Sequence, residues 1–306
     1  MFHGMMTIYK EAGYTSSDVV ARLRGILHMK KIGHTGTLDP DAEGVLPVCL
    51  GIGTKLCELI ADRDKEYIAV MRLGVTTDTQ DMSGEVLEQI SDEEVRLRVT
   101  PQKVKETAAE FLGEISQVPP MYSAVKVDGK RLYEYARAGR TVERKARNIT
   151  IYELEITSVD LPLVTMRVRC SKGTYIRTLC HDMGQKLGTG AAMEHLLRTR
   201  VGQFRLESAI RLDDAEAIMK SDDPSRILDH ILPVDSFFDE APRAKVRAEG
   251  MKYLQNGNTV RRNLTDLPRQ TRPGHVRMYD ENGKFYALYR FDPALDELKN
   301  VKMFLS

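Results

Sequence analysis

The sequence predicts an α+β protein whose last 66 residues, from Ala241 onward, form a separate β-rich module. Three observations carry that prediction. Apolar residues recur at helical spacing in some segments and alternate strictly in others, the two periods that distinguish helices from strands. These segments follow no regular strand–helix–strand rhythm, which favours α+β over a doubly wound sheet. An acidic stretch ends at Glu240–Pro242, and the chain beyond it is basic and rich in strand-like runs.

In chain order, Val19, Val20, Leu23, Ile26 and Leu27 define a first helix, with Ser16 and Ser17 placed to cap its free amides. Residues 33–47 contain Gly33, Gly36, Gly44, Pro40 and Pro47, which predict a shaped loop rather than a regular element. Asp64–Val70 reads as a strand. Pro101 behind Thr100 opens a second helix, with Val104, Ala108, Phe111 and Leu112 inward and Gly113 as its stop. Tyr152, Leu154 and Ile156 alternate with Glu153 and Glu155. Val164, Met166, Val168 and Cys170 alternate with Thr165, Arg167 and Arg169, giving a strand with one apolar and one basic face. A third helix runs from about Thr174 to Leu187 on Ile176, Leu179, Cys180, Met183 and Leu187. In the tail, two strand-like runs meet at an Asn282-Gly283 hairpin turn. The expected domains are therefore 1–240 and 241–306, the second small but long enough to fold alone.

Composition narrows the function classes. With 45 Lys+Arg against 44 Asp+Glu in 306 residues, the formal charge is +1, which excludes a uniform polycation that coats nucleic acid. The charge is segregated, however. Residues 76–116 carry 10 acidic and 4 basic side chains, and 117–150 carry 3 and 8. Residues 207–240 carry 10 and 3, and 241–306 carry 7 and 13. No apolar run approaches the roughly 18 residues of a membrane span, and no secretory leader is visible, so a cytoplasmic protein is expected. Cys49, Cys57, Cys170 and Cys180 form no CxxC pair and the histidines are scattered, so a reduced, metal-free chain is expected. Cys180, His181 and Asp182 are adjacent, but consecutive helical residues point in different directions and cannot converge on one ion.

Four segments carry candidate chemistry. Pro40 keeps Asp39 out of helical geometry, beside apolar Leu38, so its carboxylate is either fixed at a pocket wall or merely caps a turn. In Cys170–Arg177, a strand, a tight turn and a helix start bring Tyr175 and Arg177 to the first helical turn. A cation is disfavoured there by the helix dipole, unless it pairs with a carboxylate. Tyr67 lies in the strand Asp64–Val70, where an ordinary half-buried aromatic is the alternative reading. Val118–Lys126 precedes Lys130, Arg131, Tyr133, Tyr135, Arg137 and Arg140, a mixture suited to phosphate neutralisation and base stacking.

Together these segments resemble the TruB family, the tRNA pseudouridine-55 synthases. GHTGTLDPDAEGVLPVCLG, DKEYIAVMRLGVTTDTQDMSG, VPPMYSAVKVDGKRLYEYAR and CSKGTYIRTL stand in the family's order, LLRTRVGQF resembles its closing strand, and the basic tail resembles its PUA-type RNA-binding module. Gly51-Ile52-Gly53 departs from the pattern, since members often place an acidic residue and alanine before Thr54-Lys55. The resemblance implies a mixed, largely antiparallel catalytic sheet and the isomerisation of uridine 55 in the T-arm loop of tRNA. It implies catalytic roles for Asp39, Tyr67 and Arg177. His34, Tyr67, Tyr175 and Leu196 would contact the substrate: His34 filling the gap left by the flipped nucleotide, Leu196 meeting the uracil edge through its backbone. It implies an arm at about 117–150 that closes over the RNA, no cofactor, no metal, no guide RNA, no membrane and a monomer.

Overall fold

The computed structural model describes residues 1–305. The strands of the first part are β1 (Gly4–Lys10), β2 (Ile32–His34), β3 (Glu43–Leu50), β4 (Lys65–Leu73), β5 (Val75–Thr77), β6 (Val86–Gln89), β7 (Gly113–Gln117), β8 (Lys126–Val127), β9 (Lys130–Arg131), β10 (Arg147–Asp160), β11 (Leu163–Cys170), β12 (Ala191–Val201) and β13 (Phe204–Arg205). A nine-stranded sheet runs β1-β3-β12-β4-β11-β10-β7, with β2 alongside β3 and β13 alongside β12. Its pairings are antiparallel apart from β3 with β12, where Leu197 lies opposite Glu43 and Arg198 opposite Gly44. The α+β expectation and the mixed, largely antiparallel sheet hold.

The helices are α1 (Ser16–Ile26), α2 (Cys57–Ala61), α3 (Asp92–Arg98), α4 (Pro101–Ala109), α5 (Leu132–Arg137), α6 (Ile176–Leu187), α7 (Leu212–Lys220) and α8 (Met251–Gln255). α4 and α6 bury Val104, Ala108, Leu179, Met183 and Leu187 against Met71, Met166 and Val168 of the sheet. α1 and α7 cover the β1–β3 end through Val19, Leu23, Leu212 and Ala215. Sequence and structure differ at several boundaries. Thr15, not Ser16 or Ser17, caps α1, in a reciprocal box with Asp18. Ser16 instead turns to the 35–42 loop. Leu112 lies past the end of α4 and is exposed. The third predicted helix begins at Ile176, with Tyr175 as its cap residue. A bulge between Ile151 and Glu153 moves Tyr152 off the apolar face, where Arg169 packs over its ring.

The predicted 33–47 loop is shorter than its glycines and prolines suggest. Gly33 and His34 belong to β2, Glu43–Pro47 open β3, and only 35–42 is irregular. Gly44 has φ +105°, and a Cβ there would meet the Arg198 carbonyl at 2.2 Å, so glycine is required by the close approach of β12. Pro47 turns its carbonyl away from β1 toward Thr35, whose amide donates to it at 3.1 Å. Its missing N–H therefore breaks no bond to β1.

The C-terminal part is a five-stranded sheet, β14 (Arg243–Lys245), β15 (Val260–Arg261), β16 (Gly274–Tyr279), β17 (Phe285–Asp292) and β18 (Glu297–Met303), in the order β14-β16-β17-β18-β15. β16 and β17 make the hairpin read at Asn282-Gly283. This sheet has its own core around Val276, Met278, Tyr289 and Leu298. It also shares a second core with the first part, where Leu288 and Phe304 pack with Phe204, Val234 and Phe237. Among the described residues no helix is long and apolar enough to cross a membrane.

Candidate active site

Loop 35–42 is anchored from three sides. The hydroxyl of buried Ser16 accepts from the Leu38 amide at 2.9 Å and donates to the Leu38 carbonyl at 3.3 Å, tying the loop to the start of α1. The fully buried Lys10 ammonium, at the end of β1, donates to the carbonyls of Ala42 at 2.6 Å, Pro40 at 2.8 Å and Glu11 at 3.0 Å. Arg198, at 1 % exposure, donates to Val45 at 2.7 Å, Gly36 at 3.4 Å and Thr37 at 3.5 Å. Leu38 and Ala42 are buried in the α6-side core, so the carboxylate between them is carried on a fixed backbone.

Asp39 points at the first turn of α6. Arg177 holds it with two contacts, Nε to Oδ2 at 3.0 Å and Nη2 to Oδ1 at 3.3 Å, the fork geometry that fixes a carboxylate's orientation. The same guanidinium donates to the Tyr122 carbonyl at 2.9 Å, the Thr79 carbonyl at 3.0 Å and Asp81 Oδ2 at 3.2 Å. One side chain thus joins the 35–42 loop, the β5–β6 hairpin and the root of the 117–150 segment. The cation that the helix dipole disfavours at this position is accounted for by the two carboxylates it serves. Burial pushes the Asp39 carboxyl above its ordinary value; Arg177 opposes this and Asp81 adds to it. The Asp39 side chain still has 39 % of its surface accessible, so it is crowded by protein on one side and open on the other.

That open side faces a cavity of about 720 Å³. His34, Tyr67, Tyr175, Arg177 and Leu196 line it together with Asp39, so every candidate read from the sequence comes to one place. Tyr67 projects from β4 and is 8 % exposed, with its phenol pushed up to about 12 by burial while Arg198 opposes the rise. Tyr175 is held by Gln117, whose side chain accepts from its amide at 2.9 Å and donates to its carbonyl at 3.0 Å. Leu196 follows a bulge in β12 and pairs with Ala69. His34 ends β2, its Nδ1 buried without a hydrogen-bond partner and its pKa lowered by burial. A larger cavity of about 920 Å³, where the C-terminal sheet meets the first part, contains none of these groups.

Sequence reasoning missed Lys10, Asp81 and Arg198. Lys10 closes an apolar strand, Asp81 sits in the acidic 76–116 block, and Arg198 stands in a strand-like run with two other arginines nearby. Only Lys10 carried a usable signal, a single cation at the end of GMMTIYK. In the 117–150 segment Arg131 and Arg137 lie over the Tyr133 ring at 5.8 and 5.4 Å from its centre, the Tyr135 hydroxyl donates to the Val127 carbonyl, and Tyr133 lines the same cavity as Asp39.

The chain is similar to known proteins along nearly its whole length. The family model described as the TruB family pseudouridylate synthase N-terminal domain matches residues 24–176, and that of the tRNA pseudouridylate synthase B C-terminal domain matches 177–239. A tRNA pseudouridine synthase B of Lachnoclostridium phytofermentans is 47 % identical over 315 residues, spanning 99 % of this chain and 100 % of the relative. One from Syntrophomonas wolfei is 43 % identical, spanning 98 % and 99 %. Among solved structures, a chain of a Cbf5–Nop10–Gar1 complex superposes with a TM-score of 0.71 at 27 % identity, covering 99 % of this chain and 85 % of that one. A chain of an H/ACA ribonucleoprotein bound to a substrate RNA containing 2′-deoxyuridine gives 0.69 at 25 %, covering 99 % and 86 %.

Proposed function

The chain belongs to the TruB family of pseudouridylate synthases, and on that premise we propose that it converts uridine to pseudouridine in tRNA, at position 55 of the T-arm loop. The observation that carries the reading is Asp39 held in a fork by Arg177 on the wall of a cavity large enough for a nucleotide. The target must leave the RNA stack to reach that wall, at a cost of a few kcal/mol of lost stacking. His34, Tyr175 and Leu196 are proposed to receive the flipped nucleotide and close the gap behind it.

The chemistry breaks the C1′–N1 bond, turns the detached uracil and joins C5 to C1′; the C5 proton then leaves and N1 gains one. Asp39 acts either by attacking C1′ or by taking a proton from the sugar, and both routes need its ionised form. Arg177 supplies the counter-charge and fixes the attacking oxygen. Tyr67 stacks on the uracil. Its phenol is pushed up to about 12 by burial and carries its own proton, so it serves as the base for C5 only by passing that proton to solvent as it takes the one from C5.

Release of tritium from tRNA transcript labelled at uracil C5 tests the reading directly. Wild-type chain, with no guide RNA or other protein added, is expected to release it, and Asp39→Asn is expected to be silent while still binding tRNA. Dependence on an added guide RNA would instead support the assembly in which the structural relatives occur. Full biological rescue by Asp39→Asn would point to an RNA-folding role without essential chemistry.

A further inference from the structure

Arg198 is the largest of the fully buried side chains, and among the described residues it forms no ion pair with any carboxylate. Burying an unpaired cation is unfavourable, and an apolar side chain of similar volume would fill the same space without that penalty. Packing alone therefore does not explain an arginine here. Its donors do. Three N–H groups go to the carbonyls of Gly36, Thr37 and Val45, which bracket the segment bearing Asp39. Across the β12–β4 pairing Arg198 lies opposite Tyr67, and the two line the same cavity as Asp39. Gly36 has φ +122°, so the loop has a freely turning joint just where Arg198 grips it. On the other edge of β12, Arg198 pairs with Gly44, whose missing side chain lets the strands close.

We propose that Arg198 is a positioning residue of the isomerisation: one guanidinium fixes the loop that carries Asp39 and orients the Tyr67 hydroxyl, so that carboxylate and phenol keep a single spacing around the uracil. The inference rests on the pseudouridylation reading. It assigns Arg198 no contact with RNA, so its loss acts on turnover and leaves binding intact. Only a guanidinium serves three carbonyls at once from a position opposite Tyr67; a lysine keeps the charge but has fewer donors and no fork.

The test compares Arg198→Lys and Arg198→Met in the full chain, each alone and combined with Tyr67→Phe, on unmodified tRNA transcript. Single-turnover pseudouridine formation, tRNA affinity and Tm are measured for each. Arg198→Lys is expected to fold and to bind tRNA within about twofold of wild type, while its rate falls roughly 10- to 100-fold, as expected for misplaced catalytic groups. Arg198→Met is expected to lose more. In the Tyr67→Phe background the loss caused by Arg198→Lys is expected to shrink at least about threefold, because part of what the arginine orients is already gone. If Arg198→Met does not accumulate, the lysine variant carries the comparison. A lysine variant with wild-type rate, or one whose loss is the same in both backgrounds, overturns the proposal. So does a loss confined to Tm and affinity. Wild-type turnover is the control that separates the readings: a silent wild type overturns the functional reading and this inference with it, whereas an active wild type and an unaffected lysine variant overturn this inference alone.

Discussion

Asp39 and its neighbours set the pH dependence of the proposed reaction. Its carboxyl is raised by burial above the ordinary 3.8, and it must be ionised to act. The acid limb of kcat/KM, which reports the free enzyme, is therefore expected at a higher pH than for a free aspartate. Asp81 contributes to that rise, so Asp81→Asn should move the limb to lower pH even as it loosens Arg177 and slows turnover. A limb that stays in place or moves up would show that Asp81 does not act through charge. The sign for stability is opposite to that of an ordinary paired aspartate. A carboxyl raised on folding loses stability as pH climbs from its unfolded value through its folded one. Asp39→Asn is therefore expected to have a Tm at pH 7 equal to or above wild type, with Arg177 still bonded to Asp81, Thr79 and Tyr122. Thermal melts of the inactive variant check this. Asp39 and Arg177 were legible in the sequence because each breaks a local expectation: an aspartate held by the following proline, a cation at a helix start. Arg198 was not legible, since a cation in a strand reads as outward-facing until the parallel pairing with β3 turns it in.

At the scale of elements, the N-terminus of α1 separates holding a helix from holding the site. Thr15 caps the helix, and Thr15→Ala is expected to cost about 1 kcal/mol of stability with little change in the rate of folded enzyme. Ser16, one residue on, bonds both the amide and the carbonyl of Leu38, beside Asp39. Ser16→Ala leaves a buried amide unpaired, a cost of roughly 1–3 kcal/mol, and is expected to lower turnover as well. Urea titrations paired with single-turnover rates distinguish the two; an equal rate loss in both variants would mean that α1 as a whole supports the site. The sequence pointed to serines as caps because residue type and position agreed, yet threonine one place earlier completes the box with Asp18. The 33–47 segment teaches the same lesson in reverse. Its glycines and prolines mark close approach and unpaired backbone in a strand as much as a loop, and only the neighbouring strands decide which.

For the whole molecule, the near-zero total charge conceals cations of two kinds. Arg167 and Arg169, read as a basic strand face, are bound by Glu155, Glu153 and Asp64 across the sheet, so that face is neutralised. In the C-terminal sheet Arg262, Arg277 and Lys299 are likewise paired, with Asp296, Asp239 and Asp292. None of the Lys and Arg of 117–150 forms an ion pair among the described residues, and Lys126, Lys130, Arg131, Arg137 and Arg140 are exposed. Unpaired cations release counterions on meeting phosphate, whereas paired ones must first give up a carboxylate. Of the 13 tail cations only Arg262, Arg277 and Lys299 are paired among the described residues. The salt dependence of tRNA affinity is therefore expected to reside in this arm together with the unpaired cations of the tail, such as Arg243 and Lys245. Changing Lys130, Arg131 and Arg140 to glutamine should flatten the slope of log K against log salt by roughly 0.7–0.9 for each phosphate no longer neutralised. Glutamine at Arg167 and Arg169 should leave the slope unchanged. Filter binding from low to moderate salt measures both, and an equal flattening by the paired arginines would mean that the sheet face, and not the arm, meets the RNA. Because the arm's root is bonded to Arg177 through Tyr122, the same experiment bears on catalysis. An arm that docks on phosphate while its base is bonded to Arg177 is expected to link that docking to the setting of Asp39. The arm variants should therefore lose affinity first, and at saturating tRNA keep most of their rate.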